Sequence, residues 1–130
     1  MVMALGPVGQ IHISVSDLDR SIPFYRDVLG IPFLFRVPGQ PMAFFQSGDV
    51  RLYLGQPESP RFQSNVLLYF TVDDIAAEYD RLTAAGVTID EPPHVVHRDE
   101  ASELWMAFLT DPDGQNLAIM QNRLTPRAGA

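Results

Sequence analysis

The chain has 130 residues, 46% of them hydrophobic and 19% charged, with a formal net charge of −7 and a pI near 4.7, which fits one ordinary domain that buries its core without disulfides or structural metal. It has no cysteine and all nine basic residues are arginine, so thiolate chemistry, cysteine-ligated zinc and Schiff-base chemistry on a lysine are excluded. The acidic balance and singly scattered arginines argue against nucleic acid or an anionic membrane surface as a partner, and with no run long enough to span a bilayer the expectation is a soluble cytoplasmic protein.

Residues 10–16 alternate strictly, with Ile11, Ile13 and Val15 facing one way and Gln10, His12, Ser14 and Ser16 the other, which predicts a half-buried strand. Asp17 supplies a helix cap, and Leu18, Ile22, Tyr25, Val28 and Leu29 recur at helical spacing before Gly30, the left-handed residue past the helix end. Pro23 lies beyond the first turn, where it predicts a late start or a kink. Residues 31–37, 42–46 and 50–54 then read as a three-strand meander, punctuated by Pro38-Gly39-Gln40-Pro41 and Ser47-Gly48-Asp49. A proline-bearing segment, residues 57–64, reads as a linker.

The opening pattern then returns. Residues 66–72 predict a strand, Asp73-Asp74 an acidic helix start, Ile75, Tyr79 and Leu82 an apolar stripe, and Gly86 its end. Val15 and Val72 are 57 apart and Gly30 and Gly86 are 56 apart, a period that marks duplication of one supersecondary unit. The second meander comprises short strands at 87–89 and 94–97 around Pro92-Pro93, a charged loop at 98–102, a strand at 103–110, the turn Asp111-Pro112-Asp113-Gly114 and a closing strand at 116–121. Residues 122–130 read as a frayed tail. The expected architecture is α+β: two tandem βαβββ modules (about 8–56 and 65–121) forming an open, curled mixed β-sheet barrel with helices outside.

The pattern Val15-x-Asp17-Leu18-Asp19-Arg20-Ser21-x-x-Phe24-Tyr25-x-x-Val28-Leu29-Gly30, with Trp105-Met106-Ala107-Phe108 and Asp111-Pro112-Asp113-Gly114-Gln115-Asn116-Leu117, resembles the vicinal oxygen chelate superfamily. That group includes glyoxalase I, extradiol dioxygenases, methylmalonyl-CoA epimerase, fosfomycin-modifying enzymes and bleomycin-binding resistance proteins. The resemblance covers roughly residues 10–121 and implies paired modules in a homodimer. It also implies four cavity-facing positions where metal-using members carry His or Glu, and here these are Gln10, Tyr53, Leu67 and Ala118. None suits a catalytic divalent ion, which needs imidazole or carboxylate to offset its lost hydration. The superfamily metal site is therefore read as absent, leaving a mainly apolar pocket for an organic ligand.

Among candidate residues, His12 shares a face with Gln10 and is open to two readings: a histidine satisfied by a neighbouring carbonyl, or a ligand contact and the best candidate for proton transfer. Tyr53 and Tyr69 face the expected cavity by parity and would shape it. His94 and His97, with Asp99 and Glu100, read as a solvated loop at the cavity mouth, since odd spacing sends the two imidazoles to opposite strand faces. Trp105 reads as core, and the two carboxylates of the 111–114 turn as turn geometry. Taken together, the expectation is a cofactor-free protein that binds a small aromatic or amphipathic molecule through Gln10, His12, Tyr53, Leu67, Tyr69 and Ala118. The alternative is a glyoxalase-, epimerase- or dioxygenase-type enzyme, using an irregular divalent-metal site or His12 as acid/base.

Overall fold

In the computed structural model, which describes residues 4–124, the first strand, β1 (Gln10–Ser14), ends just short of an extended Asp17 whose carboxylate accepts the Asp19 N–H at 3.0 Å. This cap starts α1 (Leu18–Pro23) at its first residue, not late. Pro23 brings no N–H, and beyond it the backbone widens into a π-turn over Phe24–Val28, with Leu29 N–H donating to Phe24 O at 2.9 Å. The irregularity expected at Pro23 is thus a change of helical register that keeps Tyr25 fully buried. Gly30 follows with φ of 78°.

The meander consists of β2 (Phe33–Arg36), β3 (Met42–Ser47) and β4 (Val50–Gly55), in the sheet order β1-β4-β3-β2. β1 runs parallel to β4, and the other pairs are antiparallel. One face of this sheet, with Ile13, Leu52, Leu54 and Phe45, is buried with Leu18, Ile22 and Tyr25, and the Tyr25 and Phe45 rings lie 6.2 Å apart. Burial of such side chains contributes about 1.5–3 kcal/mol each.

The chain divides between Val66 and Leu67, and the second unit repeats the topology of the first. β5 (Leu68–Thr71), α2 (Ile75–Ala84), β6 (Thr88–Arg98), β7 (Ser102–Thr110) and β8 (Asn116–Leu124) give the sheet order β5-β8-β7-β6, again with a single parallel pair, β5 with β8. Asp74 caps α2 through the Ala77 N–H at 3.1 Å. Gln121 fastens the same helix start to β8, accepting from Ile75 N at 2.9 Å and donating to Asp73 O at 2.6 Å.

Both sheets are open, and with their two helices they make an α+β fold. Two elements differ from expectation. The short strands at 87–89 and 94–97 are one strand, β6, interrupted by register shifts around Pro92 and Pro93, where proline withholds a ladder donor. β8 continues through Leu124, paired with Ser102, while the remainder of the expected tail lies outside the described residues. No described helix is long and apolar enough to cross a membrane.

Candidate functional site

On the first sheet's other face, one ring from each strand forms a continuous row. The pairings His12↔Tyr53, Phe44↔Tyr53 and Phe35↔Phe44 put the rings side by side, with centroids 4.6, 5.2 and 5.0 Å apart along the row. Strict alternation would leave Phe33 and Phe35 on the same face. A bulge in β2 separates them: Phe33 packs on core Phe45 at 5.3 Å, and Phe35 turns to Phe44. The row also depends on Gly55, since a Cβ there would lie 2.5 Å from the Tyr53 ring and 2.8 Å from the Pro41 carbonyl.

A pocket of about 280 Å³ opens at one end of the row, lined by His12, Met42, Tyr53, Pro57, Glu58 and Phe62. Its outer wall is the segment expected to be a plain linker, which contains a 3-10 turn at Pro60–Phe62. This strap is tied to the sheet at both ends. Gln56 donates to Ser16 O at 2.7 Å, and Ser14 and Ser64 each donate a backbone N–H to the other's hydroxyl at 2.8 Å.

His12 belongs to the same network, its Nε2 lying 3.0 Å from Ser14 Oγ. Its Nδ1 is buried without a hydrogen-bond partner among the described residues. Burial lowers the imidazole pKa below the usual histidine value, while the Tyr53 backbone acts more weakly in the opposite sense. No hydrogen bond of good geometry links that backbone to Nδ1, so the neutral ring prevails near pH 7.

The remaining expected residues fall in two places. Gln10 is exposed and pairs with Arg51. In the second unit Leu67 precedes β5, 40% exposed, and Tyr69 is 46% exposed. Ala118 is fully buried between its cross-strand neighbours Tyr69 and Phe108, whose rings meet edge to face at 6.3 Å. Register therefore makes Tyr69–Ala118 the second unit's counterpart of His12–Tyr53. His94 is in β6, not in a loop, 6.3 Å from Phe108, with Nδ1 2.8 Å from Pro92 O. Trp105 donates to Glu103 at 3.2 Å and lies beneath the Arg123 guanidinium at 4.8 Å. In the 111–114 turn the Asp111 carboxylate accepts the Asp113 and Gln115 N–H groups at 2.9 and 2.8 Å, so its role is structural.

The four positions that the resemblance implies for a superfamily metal site, Gln10, Tyr53, Leu67 and Ala118, carry side chains that do not suit a divalent ion, because leucine and alanine offer no donor and neither imidazole nor carboxylate is present. Among the described residues, no group of three or more His, Asp or Glu side chains is arranged to hold one.

The model of the Glyoxalase/Bleomycin resistance protein/Dioxygenase superfamily matches residues 7–119. The chain belongs to this superfamily. Its relatives there carry diverse names. A metallothiol transferase FosB of Staphylococcus epidermidis is 33% identical over 126 residues, 92% of this chain and 86% of that protein. A probable lactoylglutathione lyase of Vibrio cholerae is 28% identical, over 85% of this chain and 87% of its own length. The solved structure of TnmS3, an antibiotic binding protein from a Streptomyces species, superposes with a TM-score of 0.73 at 25% identity, covering 94% of this chain and all of that one. With three activities named among relatives, superfamily membership leaves the function to the site.

Sequence reasoning reached His12 and Tyr53 but missed Met42, Pro57, Glu58 and Phe62. The last three lie in a segment without periodicity, so no local pattern marks them. Phe44 was open to inference, since a meander without insertions places it opposite Tyr53.

Proposed function

We propose that this protein binds a small aromatic or amphipathic molecule without a metal, on the aromatic row and pocket of its first sheet. The observation that carries this reading is the row itself: four rings from four strands, ending in a pocket with apolar walls from Met42, Pro57 and Phe62. Flat apolar ligands gain from such a surface by burial and by ring-on-ring contact worth about 0.5–1.5 kcal/mol per pair. Gln10 and His12 add polar groups at its edge. Tyr69 and Leu67 supply exposed apolar surface in the second unit, and we take the working form to be a homodimer.

The test combines elemental analysis of protein purified without chelators with thermal melts against planar aromatic probes. Stabilisation of metal-free protein that Tyr53→Ala abolishes supports the reading. One tightly bound metal per chain, with a large rise in melting temperature, overturns it.

A second reading, an enzyme using His12 as acid/base, is favoured by one feature. The imidazole, its pKa lowered by burial, is held by Ser14 and has one ring nitrogen with no hydrogen-bond partner among the described residues. An activity lost in His12→Asn and titrating with a histidine-like pKa would select this reading over simple binding.

A further inference from the structure

The chain carries sixteen acidic residues, yet none of the four strands of the first sheet contains one. That sheet's strands carry two arginines, Arg36, which pairs with Asp19, and Arg51. The register partners of Arg51 are Gln10 on β1 and Gln46 on β3, and its guanidinium lies over the Phe44 ring, 5.4 Å from the centroid. Among the described residues no ion pair or hydrogen bond engages that guanidinium, whereas Arg26, Arg36, Arg81 and Arg98 each pair with a carboxylate. Gln46 turns its amide to Gly48 O at 2.7 Å, which leaves the exposed Gln10 beside Arg51. Glu58 lies at the opposite border of the row, with the Met42 and Gly55 strand ends.

We propose that the ligand class is a planar aromatic bearing an anionic oxygen, carboxylate or phenolate. The ring lies against Tyr53, which lines the pocket, and the oxygen meets the Arg51 guanidinium, itself seated over the buried Phe44 ring, beside the Gln10 amide. This rests on the binding reading above and adds the charge of the ligand. A guanidinium that keeps its donors free is built to take an oxyanion through paired hydrogen bonds, and stacking on Phe44 holds it in place without neutralising it. The net charge of −7 repels anions at long range. A preference for an anion must therefore come from a local cation.

Three matched probes decide the matter by titration calorimetry on the full chain at low salt: 2-naphthoate, 2-naphthamide and 2-naphthylmethylammonium. The expected result is that naphthoate binds about tenfold tighter than naphthamide, as one charge-assisted contact provides, and that the ammonium is weakest. Arg51→Gln should bring the ratio of the first two close to one, and Arg51→Lys should keep part of it, with melting curves confirming that both variants fold. If naphthamide or the ammonium binds as tightly as naphthoate, or if the ratio survives Arg51→Gln, the anion assignment is overturned while the binding site stands. If none of the three binds, the binding reading falls as well.

Discussion

Ser14 and Ser64, fifty residues apart, exchange two hydrogen bonds of 2.8 Å, each backbone N–H meeting the other's hydroxyl. The pair closes the strap onto β1 beside His12, so a wall of the pocket depends on it. Removing either hydroxyl leaves a partner N–H without its acceptor at a partly buried site, at a cost of about 1–3 kcal/mol. Ser14→Ala and Ser64→Ala should each lower the urea midpoint. The double variant should cost less than the sum of the two, since both changes break one reciprocal unit.

Gly55 should resist substitution for reasons of space. The Cβ of Gly55→Ala meets both a ring that could move and a backbone carbonyl that cannot. A loss of about 1–3 kcal/mol, typical of overpacking, is expected in thermal or urea melts, together with weaker binding of aromatic probes. Adding Tyr53→Ala should recover only part of the stability, because the contact with Pro41 O remains.

The row predicts its own hierarchy. Tyr53 touches His12 on one side and Phe44 on the other, so Tyr53→Ala should cost more probe affinity than Phe35→Ala at the exposed end. A two-ring loss against a one-ring loss corresponds to about a three- to tenfold difference. Titration of the two variants with one naphthyl probe checks the order.

Protonation of His12 gives the pH dependence its sign. The folded imidazole pKa is lowered by burial, so the unfolded chain binds the proton more readily. Stability contributed by the neutral ring is complete above the unfolded value of about 6.5 and declines as pH falls from there towards the folded value. Urea midpoints measured from pH 7.5 down to 5.5 should fall in the wild type and fall less in His12→Gln. A separate decline belongs to Asp99, whose pKa is lowered chiefly by the Ser102 and Ala101 N–H groups. Its contribution is lost below the ordinary aspartate range, so the two effects separate along the pH axis.

The duplicated topology, the helix caps at Asp17 and Asp74 and the strand faces that carry His12 and Tyr53 follow from period, spacing and parity, which are local properties that any chain with these residues carries, whereas the register that pairs the two side chains is read from the structure. The four positions expected to carry metal ligands, Gln10, Tyr53, Leu67 and Ala118, are implied by the resemblance to the superfamily and not by parity. Where one proline interrupts a helix or two interrupt a strand, local rules named the place but not the outcome. Tertiary packing decided it: burial of Tyr25 keeps the helix going as a π-turn, and pairing with β7 keeps β6 whole.

What only the tertiary structure decided is the pocket. The bulge that turns Phe35 away from Phe33, the absence of a side chain at Gly55 that lets Tyr53 lie flat, and the strap drawn onto Ser14 all come from contacts between residues far apart in sequence. Alternation along a strand assigns a side chain to a face only while register is kept. A shift of one residue, or a segment without register at all, is decided by whichever packing buries the most apolar surface and satisfies its polar groups. In this protein the sequence by itself determined the sheets, and long-range packing determined which side chains of the first sheet meet around a ligand-sized space.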